Sequence, residues 1–284
     1  MITSAGNGRI KYVTDLLSKA KLRRKDGKFV AEGIKMFLEA PVSEIDEVYI
    51  SEELYVKLGS NGNSGSKSRE SGVRIVGSSL GDYREIARKL EKVNYEVVSE
   101  SVFKKISDTV TPQGIVTVIK TVDASIDDMT GGVNPLIVVL ENLQDPGNLG
   151  TILRTAEGAG ADGIVLSRDS VDIYNPKVIR STMGSVFRMK FAYVDDLHEA
   201  IRSMKSKGIS VYAAALDETS ESYDTKDYTK PSAILIGNEG NGLKEETIKA
   251  AGETVYIPMK GQVESLNASV AAAVIMYEAA RQRR

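Results

Sequence analysis

The chain has 284 residues, enough for one large domain or two ordinary ones, with 42% hydrophobic and 27% charged residues. It has no cysteine and one histidine, His198, which excludes disulfides, thiolate nucleophiles, Cys-ligated metals, His-based triads and multi-His zinc sites. The N-terminus lacks the apolar run of a signal peptide, and the longest strongly apolar stretch, 268–276, is too short to span a bilayer. A cytoplasmic protein with no membrane association is expected.

The net charge of −2 conceals a basic N-terminus, since residues 1–35 carry nine Lys or Arg and three Asp or Glu. Such a segment suits nucleic acid, and equally a solvated helix face. Ile10, Val13, Leu16, Leu17 and Ala20 recur at helical spacing. "RRKDGKFV" reads as a turn into a short extended piece, with Arg23, Arg24, Lys25 and Lys28 fanned around Gly27. Ile34, Phe37 and Leu38 make a second helical stripe, ended by Pro41. Strands are predicted at 47–50, 73–76, 95–98 and 114–120, and helices near 81–92 and 100–106. The Gly/Ser-rich 60–72 predicts a mobile loop. The polar, aperiodic 121–134 predicts a linker between a domain at 1–120 and one at 135–284.

From 136 onward strand and helix alternate. Strands are predicted at 136–140, 163–166, 187–193, 209–215, 232–236 and 254–257. Helices are predicted near 149–159, 195–207 and 243–251, with a long final one from about 266. Near-continuous apolar runs such as "AILI" and "GIVL" suit parallel strands buried on both faces.

Three stretches carry more special residues than connections need. In "NLQDPGNLGTILRTAEGAG", Leu149, Ile152, Leu153 and Ala156 share one helical face, and Arg154 points away from it. Asn148 stands where a helix cap would. In "AILIGNEGNGL", a buried strand delivers Glu239 between glycines, outside the carboxyl end of a strand where open α/β sheets bind ligands. In "IPMKGQVESLNASVAAAVIMYE", Ser265 and Asn267 stand at the mouth of the last helix, as site residues or as caps. That helix is apolar nearly all round and predicts burial on more than one side. "GAGADG" (158–163) matches a dinucleotide fingerprint in spacing only, because it follows a helix and precedes a strand.

Together, in this order, the three stretches resemble the motifs of the SpoU (TrmH) family of RNA ribose 2′-O-methyltransferases, within the SPOUT superfamily. "NGRIKYVTDLLSKAKLRRKDGKFVAEG" is similar to the opening of the small substrate-binding domain that often precedes them. The resemblance implies an α/β fold: a C-terminal parallel-sheet SPOUT domain tied in a deep trefoil knot, preceded by a smaller α/β RNA-binding domain. It implies S-adenosylmethionine as cofactor, no metal, and a homodimer acting on RNA, ribosomal ahead of transfer RNA. Carried over by motif, Asn148, Arg154, Glu239, Ser265 and Asn267 form the catalytic set. Gly237, Asn238, Gly242, Ile257, Met259 and Leu266 lie in the loops that hold the cofactor, at 237–242, 257–262 and 265–267. Arg23, Arg24, Lys25 and Lys28 are the RNA-contacting candidates. The chemistry suits the inventory, since a sulfonium methyl is already activated and in-line attack needs no metal, Cys or His. A guanidinium does not release its proton readily, so Arg154 is expected to orient the ribose hydroxyl rather than act as base. The alternatives are a transfer RNA methyltransferase and a catalytically silent RNA-binding protein.

Overall fold

A computed structural model describes residues 1–62, 80–122, 124–263 and 265–284. The chain forms two compact units, one of residues 1–121 with 174–176, the other of 122–173 with 177–284.

The first unit runs α1 (Gly8–Ser18), α2 (Ala20–Asp26), β1 (Lys28–Glu32), α3 (Ile34–Glu39), β2 (Ile45–Ser51), α4 (Glu52–Gly62), α5 (Leu80–Leu90), β3 (Tyr95–Val98), α6 (Glu100–Ile106) and β4 (Ile115–Lys120). Its four strands lie in the order β1-β4-β2-β3. One layer of core is Ile10, Val13 and Leu16 of α1 against Val116 and Val118 of β4. The predicted α1 stripe is therefore the buried one. Two expectations change. Arg23, Arg24 and Lys25 sit on a helical turn, α2, and not on an open turn; Gly27 ends it at φ 60°, a left-handed value that glycine accepts without strain. The predicted loop at 60–72 begins inside α4, and its remainder, with the strand predicted at 73–76, lies outside the described residues.

The second unit runs α7 (Ile126–Thr130), β5 (Leu136–Leu140), α8 (Pro146–Ala159), β6 (Gly163–Ser167), α9 (Pro176–Thr182), β7 (Phe191–Val194), α10 (Leu197–Ser206), β8 (Ser210–Ala214), β9 (Glu221–Ser222), β10 (Ser232–Ile236), α11 (Glu245–Ala251), β11 (Glu253–Tyr256) and α12 (Ala268–Gln282). The sheet order is β7-β6-β5-β10-β8-β11-β9, and every pairing is parallel. Ile137, Val139, Ala233 and Leu235 pack with Leu197, Ile201 and Met204 of α10. Alternation along the strands turns Val138, Leu140, Ile234 and Ile236 to the other face, where α12 meets both β10 and α8. Each fully buried Leu or Ile on α8 contributes ~2 kcal/mol of transfer free energy.

Two predicted segments differ. The supposed linker holds α7, started by a capping box between Ser125 and Asp128, and its Met129 is part of the sheet core. The strand predicted at 187–193 opens as a 3₁₀ turn over Ser185–Phe187, and the strand proper starts at Phe191. Among the described residues no helix is long and apolar enough to cross a membrane.

Candidate functional site

In chain order the sheet grows outward from β5 to β6 and β7 on one side, while β10, β8 and β11 lie on the other. The order reverses between β5 and β10, the position where loops leaving adjacent parallel strands diverge and open a crevice. Leu140 and Ile236 end these strands opposite each other. The loops that leave them carry Glu141–Asp145 and Gly237–Leu243.

The second loop is held in one shape. Asn238 and Gly242 exchange backbone hydrogen bonds at 3.0 and 2.9 Å, and the Asn238 side-chain oxygen accepts from Gly240 and Asn241. Gly242 has φ 65°. At Gly237 a Cβ would fall 2.2 Å from the Gly242 carbonyl carbon, so only glycine fits. Asn238 Nδ2 donates to the Asn142 carbonyl at 2.8 Å, tying this loop to the one after β5.

Glu239 then reaches the start of α8. Its carboxylate accepts from the backbone N–H of Gln144 (3.1 Å) and Asp145 (2.9 Å) and from Asn148 Nδ2 (2.9 Å). Burial pushes its pKa up, but the donations from Asn148, Asp145 and Gln144 outweigh it and hold the group below the usual carboxylate range. The helix cap is Asp145, whose Oδ1 accepts from the Asn148 N–H at 2.8 Å; Asn148 lies inside the first turn, which frees its side chain from capping.

Asn148 is 7% exposed and joins the third stretch as well. Asn267 Nδ2 donates to Asn148 Oδ1 at 3.0 Å, while Asn267 Oδ1 caps α12 by accepting from Ser269 N–H and Oγ–H. The directions are mutually enforced. An ionised Glu239 only accepts, so Asn148 presents its amide nitrogen there and its oxygen to Asn267. Residues 148, 239 and 267 thus form one directed chain across three distant segments.

The other expected residues lie apart from this chain. Arg154 is exposed, as its place on α8 required, and among the described residues it has no hydrogen-bond or ion-pair partner. Ser265 is exposed and outside α12, which begins at Ala268 rather than 266. Leu266 and Ile257 are half-buried, and Met259 is exposed. Of the basic candidates, Arg23 needs correction. It is 3% exposed, and its guanidinium donates to the carbonyls of Leu16 and Leu17 at the end of α1, so it is unavailable to a phosphate. Lys28 pairs with Asp46 at 2.7 Å; Arg24 and Lys25 are exposed.

Sequence reasoning missed Glu141, Asn142 and Leu216. Glu141 is a 4% exposed carboxylate directly after an apolar strand, a signal in itself. Asn142 has φ 52°, uncommon outside glycine, and its N–H donates to Ser167 Oγ. Leu216 is 78% exposed just past the carboxyl end of β8, between the ends of β10 and β11. Among the described residues no group of three or more His, Asp or Glu is placed to hold a metal.

Residues 135–277 match the model of the SpoU rRNA methylase family, half of the chain and all of the site. The chain belongs to that family. Residues 7–117 match the MRM3-like substrate binding domain, which coincides with most of the first unit. The 23S rRNA (guanosine(2553)-2′-O)-methyltransferase RlmP of Bacillus subtilis is 29% identical over 97% of both chains. The tRNA (guanosine(18)-2′-O)-methyltransferase of Thermus thermophilus is 44% identical over 153 residues, 52% of this chain and 75% of that one. An AdoMet-bound rRNA methyltransferase from Sinorhizobium meliloti superposes with a TM-score of 0.80 at 29% identity, covering 99% of this chain and 97% of the other. The first two of these relatives are thus named for different RNA classes, and the full-length likeness is to the rRNA methyltransferases.

Proposed function

We propose that this chain transfers a methyl group from S-adenosylmethionine to a ribose 2′-hydroxyl in RNA, with ribosomal RNA the substrate. The carrying observation is the Asn267–Asn148–Glu239 chain at the switch point of the sheet. The full-length likeness to RlmP supports ribosomal RNA ahead of transfer RNA.

The cofactor loops are those at 237–242, 257–262 and 265–267. The residues suit the group. Gly242, exposed with open space beside it, leaves backbone accessible to it, Gly237 lets the loop close tightly on itself, and Leu216, Ile257, Met259 and Leu266 supply apolar contact at the same sheet end. When bound, S-adenosylmethionine supplies an electrophilic methyl on sulfur. Asn148, Glu239 and Asn267 fix the floor of the site, with Ser265 at its rim. Arg154 presents a planar fork to the ribose hydroxyl and an adjoining phosphate, which is proximity catalysis by orientation. In the first unit, Arg24 and Lys25 contact phosphates. The proposal extends to the knotted C-terminal path and to a homodimer. Val270, Val274 and Tyr277 recur along α12 at helical spacing, and Val270 and Tyr277 are 47% and 49% exposed, an apolar stripe that a second copy would cover.

The test is transfer of labelled methyl from S-adenosylmethionine to ribosomal and to transfer RNA, with the product nucleotide mapped by mass spectrometry. Label at a 2′-O position of ribosomal RNA is expected. Binding of RNA without transfer would favour the silent RNA-binding alternative.

A further inference from the structure

Beneath the Glu239 loop lies a second polar set that the proposed mechanism does not use. Glu141 follows β5 and continues the ladder, donating its N–H to the Ile236 carbonyl at 2.9 Å. Its carboxylate accepts the Lys244 N–H at 2.8 Å and the Thr247 hydroxyl at 2.6 Å. Lys244 stands at the cap position of α11, where no side chain of its own caps the helix. Glu141 fills that need from another element. Thr247 is 0% exposed, and its Oγ1 also lies 3.0 Å from His198 Nε2 on α10.

A hydroxyl has one proton to give. Glu141 takes it, because an ionised carboxylate only accepts. Thr247 must therefore accept from His198, and the ring carries hydrogen on Nε2. The direction runs from His198 to Thr247 to Glu141.

The consequence lies in the loop between. Residues 237–244 leave β10 and enter α11. Near its start the loop is tied to Asn142 through Asn238 Nδ2, and its end is tied to Glu141 through the Lys244 N–H. Two adjacent residues after β5 hold both ends of the segment that carries Gly237 and Glu239. We propose that Glu141, Thr247 and His198 are positioning residues that set the height of the cofactor loop, an inference that rests on the cofactor reading above. A loosened α11 start would let the loop rise and lower cofactor affinity, with no direct effect on RNA.

The test is calorimetric titration of S-adenosylmethionine into the full-length wild type, Thr247→Val and Thr247→Ser, with RNA affinity by filter binding and Tm measured alongside. Thr247→Val keeps shape but leaves Glu141 short of a donor. It should raise the cofactor Kd about tenfold, with RNA affinity unchanged within about twofold. Thr247→Ser keeps the hydroxyl and should bind the cofactor as the wild type does. Wild-type cofactor affinity in the Val variant, or equal weakening in both, overturns the proposal. If Thr247→Val does not fold, His198→Ala is read in its place. Weakening by about threefold supports the positioning role, and unchanged affinity overturns it. A wild type that binds no cofactor at all overturns the cofactor reading itself and this inference with it.

Discussion

Arg23 on α2 and Arg154 on α8 are both read from the sequence as cations that face outward near glycines. Arg23 is 3% exposed, and it satisfies two carbonyls that the end of α1 leaves without partners. Arg154 stands exposed, without a partner among the described residues, on a helix whose opposite face is fully buried. The difference comes from what each helix packs against. The α2 turn folds back on α1, so a long side chain at its third or fourth residue must enter the interior. Arg154 lies on the exposed face of α8, and among the described residues no group bonds to its guanidinium. A guanidinium that completes the fold and one left exposed are therefore distinguished by carbonyls within reach, and not by local sequence.

Arg154→Ala tests the comparison most sharply. Turnover should fall at least about a hundredfold, corresponding to ~2.7 kcal/mol of lost transition-state stabilisation, with cofactor affinity and Tm near wild type. Arg154→Lys should also be slow, because a point charge does not reproduce a planar fork. Single-turnover methylation checks both, and near-normal turnover by the Lys variant would remove orientation as the role.

How far the sequence carried this distinction depended on where the deciding contacts lay. The strands β5, β6 and β10 were legible because parallel strands buried on both faces need continuous apolar runs, and "LIVVL", "GIVL" and "AILI" have no other simple use. The motif polar residues Asn148, Glu239 and Asn267 were legible as candidates. Their union in one set follows from the resemblance alone, and the hydrogen bonds that make it are invisible to local pattern because they join positions 91 and 119 residues apart. Periodicity begins at Leu149 and suggests Asn148 as a cap, but the Asp-Pro pair just before it starts the helix earlier, with Pro146 in the first turn. The helix α7 is signalled only by the capping-box spacing of Ser125 and Asp128, because five residues give no period. Arg23 defeats local reading because α2 has seven residues, and its helicity is decided by packing and not by an apolar stripe.

A second test separates Arg23 from its neighbour. Arg23→Ala leaves buried carbonyls unpaired at the end of α1, which costs about 1–3 kcal/mol and should lower the melting of the first unit by several degrees. Arg24→Ala removes an exposed cation and should leave Tm near wild type. Its effect should appear in RNA binding, where each lost phosphate contact lowers the slope of log affinity against log salt by about 0.7–0.9. Salt titrations of RNA binding beside thermal melts give both readouts. The assignment reverses if Arg23→Ala melts normally and flattens the salt slope.

The smallest expected effect concerns Glu239, whose charge is the fixed end of the site chain. Its carboxyl is held below the ordinary value of 4.5, since the donors around it outweigh the opposing influence of burial. A carboxylate depressed by folding stabilises the native state while it is ionised. That contribution is complete above pH 4.5 and fades as pH falls through the lower folded value. Solvent reaches the group, so the contribution is modest. Glu239→Gln keeps the shape and removes the charge. The Tm gap between wild type and this variant should therefore be widest at neutral pH, hold down to about 4.5, and close under more acidic conditions. Melts from pH 7 to 3 at fixed ionic strength follow it. A gap that widens on acidification would mean that protonated Glu239 is the better partner. In that case Glu239 would no longer fix which way Asn148 faces, because a protonated carboxyl can donate to an amide oxygen as well as accept from an amide nitrogen.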